Sequence, residues 1–288
     1  MSSSTIQQVY VAGAGHMGHG IAQVIATAGV GVTLYDINDA ALNAGLDKIR
    51  WSLAKLHEKA KLTQTPDAVM ARIRPTTALQ PAATAQLVIE VVPEREPIKR
   101  ELFTGLDAIC PPQVIFASNT SAIPITQLAA VTKRPDRFCG LHFFGPVQLM
   151  ALVEVIRGLG TSDATVSAAM EFARRIGKTP VLVQRDAAGF IVNRVLMAAI
   201  GEAARLAESG LATPGDIDLA MQAGCNWKMG PLATADLAGL DIILHAFEAI
   251  HADTHDPVFN PPTILRRLVS AGHLGRKTGK GFYDHARS

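Results

Sequence analysis

His142 and Glu154 are the residues of this chain best suited to moving a proton. His142 closes an apolar stretch at 139–143, and Glu154 sits inside another, Leu-Val-Glu-Val-Ile at 152–156. An imidazole titrates near neutral pH, so it can act as general base or general acid. A carboxylate behind it would fix its tautomer and stabilise the imidazolium. A glutamate within so apolar a strand is expensive to bury without a partner, and His142 is the natural one. Spacing alone fits equally well a core histidine beside an unrelated edge-strand glutamate.

A second constellation lies at the start of the chain. The apolar run 9–12 leads directly into Gly13-Ala-Gly-His-Met-Gly18, which opens a helical pattern. Glycines in this spacing permit a tight turn, close approach of the backbone to a pyrophosphate, and close helix–strand packing. The helix N-terminus adds unpaired N–H groups and partial positive charge. A second strand, 32–35, ends in Asp36, about 20 residues on, where a carboxylate binds ribose hydroxyls. That carboxylate would repel a 2′-phosphate, and no arginine adjoins it, so NAD is preferred over NADP. The cofactor residues expected here are Gly13, Gly15, His16, Met17, Gly18 and Asp36. A flavin is the weaker alternative. With a hydride acceptor so provided, a base such as His142 makes oxidation of a secondary alcohol the natural chemistry.

These residues need elements to hold them. Up to about residue 184 the chain alternates β-branched runs with helical patterns. Strands are expected at 9–12, 32–35, 87–92, 114–117, 139–143, 152–156 and 180–183, with helices at 17–28, 39–61 and 97–109. Such alternation predicts a mostly parallel sheet covered on both faces. The segment from Asp39 to Ile73 is long for a crossover and carries Trp51, Leu53, Leu56 and Leu62 at helical spacing. It is expected to form two helices, an arm off the sheet. Beyond Gly189 only helical periodicity appears, with Thr213 as an N-cap and Pro214 at the first helical position. The expected architecture is an α/β Rossmann-type domain with a helical arm over 1–185 and an all-α domain over 186–288. The apolar helical domain, with Val195, Leu196, Met197, Ile200, Leu206 and Leu211, suggests a homodimer.

Bulk composition excludes several classes. No run reaches the roughly 18–20 uncharged apolar residues that span a bilayer. The start, Met-Ser-Ser-Ser-Thr, lacks a basic and apolar signal core, so the cytoplasm is the expected compartment. Cys110, Cys139 and Cys225 have no CxxC spacing, which argues against a disulfide framework or a zinc site. A net charge of +2 is too small to imply nucleic acid. His251 and His255 share a helix face, but Asp256-Pro257 ends that helix and no further ligand is apparent, so no metal is expected. No Gly-x-Ser-x-Gly elbow is present. Gly275-Arg-Lys-Thr-Gly-Lys-Gly281 departs from the P-loop pattern in spacing and context and reads as a basic turn.

Six ordered blocks spread over the chain resemble the L-3-hydroxyacyl-CoA dehydrogenase family, in its short stand-alone form. They are Gly13-x-Gly-x-Met-Gly-x-Gly-Ile-Ala22, Glu90-x-Val-Pro-Glu94 with Lys99, Ala117-Ser-Asn-Thr-Ser121, His142-Phe-Phe-x-Pro146 with Leu152-Val-Glu154, Gly189-Phe-Ile-Val-Asn-Arg194, and Gly275-Arg-Lys-Thr-Gly-x-Gly-Phe-Tyr283. The resemblance implies NAD as cofactor, an acyl-CoA as substrate, His142 as acid–base and Glu154 as its orienting partner. It also implies that Ser121 and Asn193 bind the substrate oxygen, Asn193 from the start of the helical domain. Glu94, Lys99 and Asn119 match positions that line the cofactor, and Ser52 and Lys59 match positions that contact CoA. From the residues alone, Asn119, Thr120 and Ser121 fit a turn or helix cap, Glu94 and Lys99 a solvated pair, and the lysines of the arm a solvated face. The chain departs from the family at Gly145, where relatives usually carry asparagine. Glycine there removes an amide three residues from the base and opens space, for a substituted acyl chain or for a different 3-hydroxy acid. A cofactor-binding relative with weakened catalysis is the non-enzymatic alternative.

Overall fold

The structure, a computed structural model, describes residues 6–285. It contains two compact units, the first ending at Asp186 and the second beginning at Ala187.

Eight strands of the first unit form one sheet: β1 (Gln8–Ala12), β2 (Gly31–Tyr35), β3 (Ile73–Thr76), β4 (Leu87–Glu90), β5 (Ile115–Ser118), β6 (Phe138–Phe143), β7 (Leu152–Arg157) and β8 (Thr179–Val183). Their spatial order is β3-β2-β1-β4-β5-β6-β7-β8. All neighbours are parallel except β6 and β7. The carboxyl ends of β1, β4, β5 and β6 therefore share one edge of the sheet, the edge where ligands bind in open α/β sheets. β4, β5 and β6 are buried along their whole length, as expected of strands covered on both faces. The helices of this unit are α1 (Gly18–Thr27), α2 (Asp39–Glu58), α3 (Pro66–Met70), α4 (Glu96–Ile109), α5 (Ile125–Ala129) and α6 (Asp163–Arg175). α1 buries Ile21, Ala22 and Ile25 in a core shared with Val9, Val11, Leu34 and Ile89.

Two features differ from the sequence expectation. β3 is an additional strand. It pairs with β2 from Val32↔Ile73 to Tyr35↔Thr76, yet its sequence, Ile-Arg-Pro-Thr, holds one aliphatic residue and a proline. Proline is tolerated there because the strand is at the edge. The segment read as an arm is also less detached than expected. α2 buries Leu42, Leu46, Ile49 and Leu53, and a Cβ at Gly45 would lie 2.7 Å from the carbonyl oxygen of Ala14. The helix thus packs onto the glycine turn itself. α3 is only five residues long, and Trp51 points into solvent.

The second unit is helical: α7 (Val192–Glu208), α8 (Pro214–Cys225), α9 (Pro231–Ala238), α10 (Leu240–Thr254) and α11 (Thr263–Ser270). The Thr213 side chain caps α8 by accepting from the backbone N–H of Asp216, with Pro214 at the first position. Two buried aspartates fasten the C-terminal basic turn. Asp236 accepts the backbone N–H groups of Phe282 and Tyr283 at 2.9 and 3.0 Å and lies 2.8 Å from His285 Nε2. Asp218 accepts the N–H groups of Leu232 and Ala233 and the Tyr283 hydroxyl. A Cβ at Gly281 would stand 2.2 Å from Asp236 Oδ1, which explains a glycine at that place. Among the described residues no helix is long and apolar enough to cross a membrane.

Candidate active site

The glycine turn joins the end of β1 to α1. Gly13 has φ 119°, and a Cβ on it would lie 2.6 Å from the carbonyl oxygen of Val91. A Cβ on Gly18 would strike the backbone of Gly13, whereas a Cβ on Gly15 would meet nothing within 4 Å. Gly13 and Gly18 are therefore required by the turn, and open space lies over Gly15, as a pyrophosphate-binding backbone requires. Asp36 sits at the end of β2. Its Oδ2 accepts the N–H of Ala14 at 2.9 Å and its Oδ1 the N–H of Ile37 at 2.8 Å. The acid is thus locked against the turn. These residues fit a dinucleotide. His16 is exposed and Met17 half-buried on the same turn.

His142 and Glu154 face each other across the antiparallel junction. The register pairs them directly, and residues opposite each other on such strands present their side chains to the same face. His142 Nδ1 lies 2.8 Å from Glu154 Oε2, with both side chains buried. A carboxylate accepts only, so Nδ1 carries the hydrogen and Nε2 is the basic nitrogen of that tautomer. Phe144 covers the imidazole, with ring centroids 4.5 Å apart. The turn-back between the two strands, residues 144–151, is fastened on two sides. Gln148 Nε2 donates to Gln23 Oε1 of α1 at 2.9 Å, and the nearly buried Lys178 donates to the carbonyls of Val147 and Met150. Burial lowers the pKa of that lysine. At Gly145, an added Cβ would meet Met17 Sδ at 3.4 Å and His16 Nε2 at 3.5 Å. The loop that follows His142 therefore borders the glycine turn.

The end of β5 supplies the third wall. Asn119 Oδ1 accepts the backbone N–H of Phe143 at 2.8 Å, tying this wall to the residue after His142. Thr120 Oγ1 accepts the N–H of Ile123 at 3.0 Å, so the local turn is closed by Thr120. Ser121 is half-buried, and its hydroxyl engages no other group among the described residues. The sequence-level reading of all three as capping residues thus holds for Thr120.

Glu94 and Lys99 are not a solvated pair. Lys99 is 1% exposed. Its ammonium lies 2.6 Å from Glu90 Oε1 and 3.1 Å from Glu94 Oε2. Glu90 is wholly buried and also accepts from Ser118 Oγ and the N–H of Val92. Burial pushes its carboxyl above the usual range, against the opposing pull of Lys99, Ser118 and Val92. Burial also acts to raise Glu94, but the charge of Lys99 and hydrogen bonds from Thr120, Lys99 and Ser121 outweigh it and hold that carboxyl below the usual range. The sequence reading gave Glu90 and Ser118 no role, and Thr120 only that of a cap. The available signal was a glutamate ending an apolar strand, the same cost argument that singled out Glu154.

Ser52 lies in the C-terminal half of α2 and Lys59 caps its end. Ser52 is half-buried and Lys59 exposed just beyond the helix, while Lys55 pairs with Glu58 at 2.8 Å. Asn193 belongs to the second unit, on the first turn of α7, half-buried. The chain enters that helix through Gly189 at φ 76°, where a Cβ would lie 2.5 Å from Ile250 Cδ1.

Models of two domains match this chain: 3-hydroxyacyl-CoA dehydrogenase, NAD binding domain, over residues 8–187, and 3-hydroxyacyl-CoA dehydrogenase, C-terminal domain, over residues 189–285. The chain belongs to the 3-hydroxyacyl-CoA dehydrogenase family. It is an oxidoreductase with NAD as its cofactor. A Bacillus subtilis (strain 168) protein described as a probable 3-hydroxybutyryl-CoA dehydrogenase is 48% identical over 281 residues, covering 97% of this chain and 98% of that protein. The crystal structure of (S)-3-hydroxybutyryl-CoA dehydrogenase from Ralstonia eutropha superposes with a TM-score of 0.94 at 45% identity, covering 98% and 99% of the two chains. The 3-hydroxyadipyl-CoA dehydrogenase of Escherichia coli (strain K12) is 41% identical over 281 residues, covering 97% of this chain and 59% of that one.

Proposed function

We propose that this family member catalyses the reversible oxidation of an L-3-hydroxyacyl-CoA, such as 3-hydroxybutyryl-CoA, to the 3-ketoacyl-CoA, with His142 as the acid–base residue. NAD, when bound, supplies the hydride acceptor. The turn residues Gly13, Gly15, His16, Met17 and Gly18 hold its pyrophosphate, Asp36 its ribose, and Asn119 lies on the same surface. In oxidation, His142 Nε2 takes the hydroxyl proton. The Glu154 carboxylate, 2.8 Å from Nδ1, keeps the ring in that tautomer and stabilises the imidazolium. In reduction, the same nitrogen returns the proton to the ketone oxygen. The Ser121 hydroxyl donates to that oxygen, and Asn193 is assigned as a second ligand of it from the family resemblance. Ser52 and Lys59 are assigned to the CoA moiety on the same ground.

The observation that carries this reading is the buried, register-matched His142–Glu154 pair at the edge of the sheet that also carries the dinucleotide turn. Mixing the protein with acetoacetyl-CoA and NADH and following nicotinamide absorbance tests it. Turnover is expected, and His142→Ala should lower it by about a thousandfold while NADH affinity changes less than about twofold. No turnover with any acyl chain length despite tight NADH binding would sink the proposal. Glycine at position 145, in place of the asparagine usual in the family, favours a second reading, an NAD-dependent dehydrogenase of another 3-hydroxy acid, which activity on free acids alone would select.

The proposal includes a homodimer formed through the second unit. Val195, Leu211, Leu219, Leu237 and Ile242 of that unit are largely exposed, apolar side chains that pairing with a second copy would cover. A cytoplasmic location belongs to the same reading, and the three free thiols suit a reducing compartment.

A further inference from the structure

The loop between β6 and β7, residues 144–151, joins the two strands that carry His142 and Glu154, yet it has little packing of its own. Only Val147 in it is buried, and Leu149 and Met150 are exposed. Within the loop the N–H groups of Leu149 and Met150 both donate to the carbonyl of Pro146, at 2.9 and 3.0 Å. The carbonyls of Val147 and Met150 are taken by Lys178, whose ammonium donates to both, at 2.7 Å to Met150. Lys178 is 8% exposed, and among the described residues its ammonium has no carboxylate partner. A cation in such a place is costly unless its donors are used, and here they go to two carbonyls of one loop. Lys178 is itself fixed. Gly177, at φ 77°, ends α6, and the N–H groups of Gly177 and Lys178 donate to the carbonyls of Arg174 and Ala173, the bond pattern of a Schellman cap. The next residue, Thr179, donates its N–H to the carbonyl of Ala151 at 2.8 Å. The loop also rests on α1. A Cβ at Gly20 would lie 3.0 Å from Val147 Cβ, so the one buried side chain of the loop packs on bare backbone of the helix that follows the glycine turn. Phe144, the first residue of the loop, covers the imidazole of His142.

We infer that Lys178 is a positioning residue of the active site: through the carbonyls of Val147 and Met150 it seats loop 144–151 on α1 at Gly20, and so keeps Phe144 over the imidazole of His142. Hydrogen bonds from a charged donor are stronger than neutral ones, which suits a clamp on a loop with one buried side chain. A fixed aromatic cover limits the access of water to the imidazole, and at low local dielectric the bond from Nδ1 to Glu154 is the stronger. Small errors in the placement of a group that must meet a reacting atom are costly to rate. Lys178 thus acts on the reaction without touching substrate or cofactor.

The inference rests on the reading of His142 as the acid–base residue, and a double-mutant cycle keeps the two apart. Lys178→Met retains most of the side-chain volume and removes the ammonium. Lys178→Met, His142→Ala and the double variant are compared for kcat with acetoacetyl-CoA at saturating NADH. Rates are normalised to the folded fraction by circular dichroism, so that lost stability alone does not lower them. Lys178→Met should lower kcat by roughly tenfold or more and leave NADH affinity within about threefold. On the His142→Ala background the same change should cost less than about threefold, since it acts through that imidazole. Lys178→Arg, which keeps the charge and the donors, should return kcat to within about threefold of wild type. In the cofactor-free protein, amide exchange of Leu149 and Met150 should accelerate in Lys178→Met and not in Lys178→Arg. A wild-type kcat in Lys178→Met beside a large loss in His142→Ala would overturn the inference alone, as would losses that multiply in the double variant. A wild-type kcat in His142→Ala would remove the acid–base reading and the inference with it. If Lys178→Met does not fold, Gly20→Ala sets a methyl group against Val147 and takes its place in the cycle. The same fall in kcat and the same lack of additivity are expected there, and a wild-type kcat would overturn the inference.

Discussion

At the scale of single residues, the informative positions are those where chemistry and packing compete. Glu154 illustrates the legible kind. A carboxylate within an apolar strand requires a partner, and the structure supplies His142 directly across the ladder. Lys99 illustrates the opposite kind. Beside Glu94 in sequence it looks solvated, yet folding encloses it between two carboxylates drawn from different positions of the chain. Only the placement of α4 over the end of β4 decides this, and local sequence does not encode that placement. Gly145 is a third case, with a test. An added Cβ would meet Met17 and His16 at ordinary contact distance, and Gly145 is not in a left-handed conformation. Gly145→Asn is therefore expected to fold with wild-type stability and to fill the space beside Met17 and His16. The ratio of kcat/KM for a substituted or longer 3-ketoacyl-CoA to that for acetoacetyl-CoA should fall by about tenfold or more, since lost pocket volume acts on the bulkier substrate. An equal loss for both would show that this space does not select the acyl chain.

At the scale of elements, the strands that serve the core were readable, as was the edge strand β8, whereas the opposite edge strand, β3, was not. β1, β4, β5 and β6 announce themselves by continuous apolar runs because both faces are covered. β3 has Ile73 as its one buried position, so no pattern marks it, and its existence follows from pairing with β2. The network beneath the loops at the carboxyl edge became visible only when β4, α4 and β5 were brought together. That network has a pH signature. Glu94 titrates below the usual carboxylate range in the folded protein. Its contribution to stability is therefore present above the unfolded pKa of about 4.3 and is lost as pH falls through the lower folded value. Glu94→Gln removes this dependence. Urea unfolding measured across the acid range should show the stability gap between wild type and Glu94→Gln closing as pH drops below the usual carboxylate range. A gap that widens there would mean that burial, which raises the Glu94 pKa, outweighs its hydrogen bonds.

At the scale of the whole molecule, the change from strand–helix alternation to purely helical periodicity was visible in the sequence because the two halves bury apolar surface in different ways. The first unit closes its core on a sheet. The second packs helix on helix around Ile200, Leu240, Ile243 and Phe247 and fastens its C-terminal segment with Asp218 and Asp236. The spacing of glycines in that segment suggested a phosphate loop to be excluded, but its cause lies far upstream in Asp236, which a Cβ at Gly275 or Gly281 would strike, a separation over which sequence pattern is silent. Removing Asp236 should act on the second unit alone. Asp236→Ala leaves the N–H groups of Phe282 and Tyr283 without their acceptor and is expected to cost about 3 kcal/mol or more. The dinucleotide turn and Asp36 lie wholly in the first unit, so NADH at about 100 times its dissociation constant should still stabilise that unit by about 2.7 kcal/mol. Calorimetry of Asp236→Ala should accordingly resolve an early transition that NADH does not move and a later one that it does. A single transition that has lost its response to NADH would mean that the integrity of the dinucleotide site depends on the second unit.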